Sequence, residues 1–92
     1  NWLTARGRLT GVIDWGSLGL ADRAVDLLPA FLGLDGPARE VFLATLSPSQ
    51  AELDRARALA LRKIILGLPY YRASNPAFHA VLLAGLPRLW LD

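Results

Sequence analysis

Three aspartates near the start of the chain are the residues best placed to do chemistry. Asp14 closes the apolar run Gly11-Val12-Ile13 and is followed by Trp15-Gly16. A carboxylate at the end of a strand that reads as buried is costly, and such a group is usually kept to meet a cation. Asp22 stands just ahead of the apolar positions Val25, Leu27 and Leu28, where its side chain can accept backbone N–H groups as a helix N-cap. Asp26 lies one turn further on, is less easily explained by capping, and reads equally as an exposed helix carboxylate. Other chemistries find less support. Ser17 has no His or Lys close by in the sequence to activate it as a nucleophile. His79 is the only histidine and has no second ligand four residues on, so it reads as structural. The absence of cysteine excludes disulfides and thiolate metal sites.

The elements that must carry these residues follow from the pattern around them. Trp2 to Thr4 and Leu9 to Ile13 read as two strands of a hairpin reversed at Ala5-Arg6-Gly7-Arg8. Arg6 and Arg8 flank the tip and read as solvated rather than as phosphate contacts. Gly11 inside the second strand suggests a bulge or a close backbone approach. Trp15 is expected to pack beneath the turn that follows Asp14, or simply to fill core. From Asp22 the pattern becomes helical. Pro29 should kink or restart the first helix, and Pro37 opens a second that runs to about Leu46 with Val41, Phe42 and Leu46 as its apolar stripe.

Ser47-Pro48-Ser49-Gln50 reads as a capping box that starts the longest helix at Pro48. In that helix Leu53, Ala56, Ala60, Ile64 and Leu68 form the buried stripe, Leu61 and Ile65 widen it, and Gly67 with Pro69 ends it. Glu52–Arg55 and Asp54–Arg57 are expected as local i,i+3 pairs on its solvated side. Tyr70 and Tyr71 should close off the core at its end, and Asn75-Pro76 should open a last helix to Gly85, followed by a tail from Leu86 to Asp92 that carries Trp90. The predicted fold class is mostly α with a short N-terminal β-hairpin (α+β): hairpin and turn over residues 1–16, helical subdomain over 22–92.

Composition narrows the function. The net charge is only +2, and Arg55, Arg57, Arg62 and Lys63 alternate with Glu52 and Asp54 rather than forming a basic face. No nucleic-acid partner is expected. Hydrophobic residues make up 53% of the chain, yet charges interrupt every apolar run short of a membrane span, and no membrane partner is expected. Asn1 to Leu20 lacks the order of a secretory signal. With the lack of cysteine, this fits a cytoplasmic protein.

The three segments taken together, Asn1 directly before a hairpin, then Gly11-Val12-Ile13-Asp14-Trp15-Gly16, then Ala21-Asp22-Arg23-Ala24-Val25-Asp26-Leu27, resemble the C-lobe of aminoglycoside phosphotransferases and related small-molecule kinases. That family follows an H-G-D-x-x-x-x-N catalytic loop with a hairpin, an I-D-[WF]-[GE] turn and a G-D-P-x-x-D-L-A helix start. The resemblance covers about the first 28 residues closely. It implies that Asn1 is the last residue of the catalytic loop and that Asp14 is the counterpart of the aspartate in the protein-kinase D-F-G element. Asn1 and Asp14 would then hold Mg2+ against the phosphates of ATP or GTP, while Asp22 and Asp26 organise the site from behind.

On this resemblance the chain, which does not begin with Met, is expected to be a fragment: part of the helical C-lobe of a protein-kinase-like fold. The catalytic Asp and the nucleotide-covering lobe would lie upstream, with no catalytic residue among these 92. The parent would move the γ-phosphate to a hydroxyl of a small molecule such as an aminoglycoside or macrolide, an antibiotic-resistance activity, and the fragment alone would be inactive. The alternative is a degenerate kinase-like remnant acting as a helical interaction module. A lobe without its other half exposes apolar surface, so self-association is expected of the isolated chain.

Overall fold

Arg6 and Gly7 both have positive φ, 53° and 73°, the tight two-residue reversal whose twist suits a hairpin. In the computed structural model, which describes residues 1–90, this turn joins β1 (Trp2–Ala5) to β2 (Arg8–Val12) in an antiparallel pair. Ala5 lies opposite Arg8 and Trp2 opposite Val12. Leu3 pairs with Gly11 but Thr4 with Leu9, so Thr10 is an extra residue and the strand bulges beside Gly11. The Thr10 hydroxyl donates to the Leu3 carbonyl at 3.1 Å.

The strand ahead of Asp14 is exposed, contrary to the sequence reading. All of β1 and all of β2 except Gly11 are open to solvent. Two strands have only two faces to offer, and among the described residues neither face is covered along its length. Trp2 approaches the helices: a side chain added at Gly33 would lie 3.6 Å from its ring.

After a short 3-10 turn at Trp15–Ser17, a second one at Arg23–Leu27 leads into α1 (Pro29–Leu32). Pro29 restarts the helix as expected, since the first turn of a helix has no use for its missing N–H. There follow α2 (Gly36–Leu46), α3 (Gln50–Ser74), α4 (Pro76–Gly85) and a final 3-10 turn at Pro87–Trp90. The last two residues of the expected tail, Leu91 and Asp92, lie outside the described residues. The fold is mostly α with an N-terminal hairpin, as the pattern predicts. Leu27, Phe31, Ile64 and Leu82 are the largest fully buried side chains, each stabilising by about 1.5–3 kcal/mol relative to exposure. They sit where α3 packs against α4 and against the Arg23–Leu27 turn. Asn75 caps α4 by accepting the Phe78 N–H at 3.0 Å.

The long helix departs from expectation at both ends. It starts at Gln50, with Ser49 as N-cap and Glu52 closing the reciprocal box. Ser47 is occupied elsewhere: it closes α2 in a left-handed conformation, its N–H bonded to the Leu43 carbonyl at 2.8 Å. At the far end the helix runs 25 residues, through both Gly67 and Pro69. Gly67 is a packing position, because a Cβ there would lie 2.4 Å from Leu82 Cδ1. Pro69 frees the carbonyl of Ile65, and both residues are exposed, so water can take that bond. The buried stripe therefore continues from Ala56, Ala60 and Ile64 to Gly67. Leu61 and Ile65 face outward instead of widening it, and so does Val41 on α2. Tyr71 lies within α3 and meets Phe78 edge-on, with ring centroids 4.8 Å apart, while Tyr70 stays exposed. No helix among the described residues is long and apolar enough to cross a membrane.

Candidate metal centre at the end of the hairpin

The hairpin brings the start of the chain beside the end of its return arm. One rung beyond the strand ladder, the Ile13 N–H donates to the Asn1 carbonyl at 2.9 Å. The next side chain is Asp14, and Asn1 Nδ2 donates to its Oδ2 at 3.3 Å across thirteen residues of sequence. Asp14 has φ 63° and ψ 65°, a left-handed conformation in a residue with a Cβ. Such backbone persists only where neighbours impose it, and it gathers at functional sites.

One neighbour is visible. The Trp15 indole Nε1 donates to the Val12 carbonyl at 3.1 Å, tying the turn back to the end of β2. Trp15 was expected to pack beneath the turn or in the core, yet it is 61% exposed. The exposed hairpin provides no core for it there, so it holds the turn through its N–H instead.

Asn1 and Asp14 fit a magnesium ion. Magnesium takes hard oxygens at about 2.0–2.1 Å and is held by one or two carboxylates plus phosphate and water rather than by a protein cage. Adjacent ligands of an octahedron with such bonds stand about 3 Å apart, close to the Asn1–Asp14 spacing. A half-turn of the Asn1 amide exchanges Nδ2 for Oδ1 at that place. No group of three or more His, Cys, Asp or Glu that could hold a metal occurs among the described residues.

The other two aspartates are placed differently. Asp22 caps the Arg23–Leu27 turn through the Ala24 N–H at 3.0 Å. Its carboxylate also meets Arg55 of α3 in a two-pronged pair, 2.7 Å from Nε and 3.1 Å from Nη2. The Arg55 guanidinium, then the Ala24 N–H, hold the Asp22 carboxyl below its ordinary value. Asp26 is exposed, and among the described residues it makes no hydrogen bond or ion pair. The fold thus joins Asn1 to Asp14, ties Asp22 to the long helix and leaves Asp26 to solvent. Arg6 and Arg8 are exposed at the hairpin tip, as the sequence suggests.

Several polar contacts around this frame have no signature in the sequence. Glu52 and Arg55, expected to pair with each other, reach back across the chain. Glu52 binds Arg23 at 3.1 Å and the Ser49 N–H at 2.8 Å, and Arg55 binds Asp22. Arg23 also donates to the Leu46 carbonyl. Asp54 and Arg57 do form their local pair, at 3.5 Å. The sequence pattern makes Lys63 only helix surface, yet it lines the same cleft of about 380 Å³ as Asn1, Trp2 and Leu28.

Comparison with known proteins adds one match. A family model described as "Phosphotransferase enzyme family" matches residues 1–63, more than half of the chain, including Asn1, Asp14, Asp22 and Asp26. No curated protein and no solved structure matches.

Proposed function

This chain belongs to the phosphotransferase enzyme family, and on that premise we propose that it carries the metal-holding part of a small-molecule kinase of the aminoglycoside phosphotransferase type. The observation that carries the reading is the 3.3 Å approach of Asn1 to Asp14 at a turn whose aspartate is left-handed. When bound there, Mg2+ would neutralise charge on the β- and γ-phosphate oxygens of ATP or GTP. Asp14 supplies the anionic oxygen and Asn1 the neutral one. Trp15 fixes the turn that presents them. Asp22 caps the segment after the turn and ties it to α3, a positioning role, and Asp26 stands on the same segment.

In the reaction proposed, an acceptor hydroxyl oxygen forms a bond to the γ-phosphorus as the bond from that phosphorus to the β-bridging oxygen breaks. The hydroxyl proton goes to a base. In this reading the base and the phosphate-covering lobe are supplied from outside the 92 residues, which form part of the helical C-lobe, so the chain alone is inactive. The setting is cytoplasmic, where nucleoside triphosphates are available.

Paramagnetic Mn2+ in place of Mg2+ tests the site without requiring turnover. Added to the isotope-labelled 92-residue chain, it should broaden the amide signals of Ile13, Asp14 and Trp15 and the Asn1 side-chain amide before all others. Asp14→Ala should abolish that selectivity. Broadening centred on Asp22 or Asp26, or spread evenly over the acids, would refute the assignment and leave the interaction-module reading standing.

A further inference from the structure

The cleft that holds Asn1 shares part of its lining with another. Leu28 and Lys63 line it, and the same two residues line a second open cleft of about 500 Å³, within the size range of small-molecule sites. Val25 and Leu66 give the second cleft apolar wall, Arg62 stands beside Lys63, and Tyr70 and Tyr71 close one end. The two clefts together are lined by two cationic side chains and, among the described residues, by no Asp or Glu. Neither Arg62 nor Lys63 makes an ion pair or hydrogen bond among the described residues.

The acids of α3 are not available to balance them. Glu52 is held by Arg23 and Asp54 by Arg57. Asp26, between Val25 and Leu28 in sequence, lines neither cleft.

Resting on the phosphotransferase reading, we infer that these neighbouring clefts are the acceptor side of the site, and that the acceptor is an apolar or aromatic molecule bearing an anionic group rather than a polycation. A phosphate or carboxylate gains from two uncompensated cations one residue apart, whereas a polyamine or an amino-sugar would meet like charge with nothing to offset it. The apolar wall and the exposed Tyr70 ring favour a flat body over a fully hydrated one. Lys63 is common to both clefts, so an acceptor anchored on it has Asn1 on the wall of the adjoining space.

The test uses phenyl phosphate, inorganic phosphate and spermidine as probes on the isotope-labelled 92-residue chain, with no nucleotide or divalent ion present. Phenyl phosphate should shift the amides of Val25, Leu28, residues 59–68 and Tyr70 and Tyr71 saturably. Inorganic phosphate should shift fewer of them and bind at least threefold more weakly, because it lacks the ring. Arg62→Glu with Lys63→Glu should weaken phenyl phosphate at least tenfold. Both residues are exposed on the helix, so the remaining spectrum should report an intact fold. Spermidine should leave these signals in place in the natural chain and move them in the double variant. The inference falls if phenyl phosphate gives no saturable shift, if charge reversal leaves its affinity unchanged, if inorganic phosphate binds equally well, or if spermidine occupies the natural site. Because no metal is present, failure here would refute the acceptor class while leaving the Mn2+ result at Asp14 to judge the kinase reading independently.

Discussion

At Asp14 the side chain and the backbone pull in different directions. A left-handed residue with a Cβ costs roughly 1 kcal/mol or more, and nothing in the hydrophobic core repays it, because the residue is exposed. The conformation sends the carboxylate beside Asn1. Replacing Asp14 by Gly and by Ala separates the two contributions, since both remove the carboxylate and only Ala retains the strain. Asp14→Gly is expected to be about 1 kcal/mol more stable than Asp14→Ala, read as a higher urea midpoint, with selective metal binding lost in both. At a turn residue with ordinary negative φ the order would be reversed. The closeness of Asn1 and Asp14 was legible in the sequence, because a hairpin of this length must return to its start. The exposure of that hairpin was not: Leu9, Val12 and Ile13 have the composition of a buried strand, yet among the described residues nothing covers them.

Among the elements, α3 shows most clearly what local pattern can and cannot decide. Its start lay between two serines, each with a suitable partner three residues on: Ser47 with Gln50 and Ser49 with Glu52. The second pair forms because Ser47 ends α2 and because Glu52 brings a charge to the helix N-terminus, where it is favoured. Its end was misread for a different reason. Gly and Pro stop helices when nothing opposes them, and here the packing of α4 does. Gly67 lets Leu82 lie against the backbone, so that any Cβ must displace it from a fully buried position. Gly67→Ala gains about 1 kcal/mol in helix propensity and loses about 1–3 kcal/mol to overpacking. A net destabilisation of about 1 kcal/mol is expected, measured by urea unfolding. Net stabilisation would show that Leu82 has room to move and that the glycine is not there for packing.

Across the whole molecule, the helical body is fastened by ion pairs that join distant parts of the chain, and these lay beyond the reach of sequence pattern. Asp22 meets Arg55 across 33 residues, Glu52 meets Arg23 across 29, and Asp35 meets Arg88 across 53 at 2.6 Å and 2.7 Å. Helical spacing displays only near neighbours, so the acids and bases of α3 read as one solvated face although two of them clamp it to the Arg23–Leu27 segment. The carboxyls of Asp22 and Asp35 are lowered from 3.8 chiefly by their arginines, and that of Glu52 from 4.5 chiefly by the Ser49 N–H.

A carboxyl lowered in the folded state binds fewer protons there than in the unfolded chain. Its contribution is therefore complete above the unfolded value and disappears as pH falls through the folded one. Stability should be level near neutrality and should fall progressively below about pH 4.5. Asp35→Asn tests one clamp by itself, since it keeps the shape and removes the charge that faces Arg88. The variant should unfold at lower urea than the natural chain at pH 7, and the two midpoints should draw together as pH falls towards about 2, since protonating Asp35 removes the charge that Arg88 meets. A gap that stayed constant down to that pH would mean that the side chain acts through packing. The link between the start of α2 and the end of the chain would then owe nothing to charge.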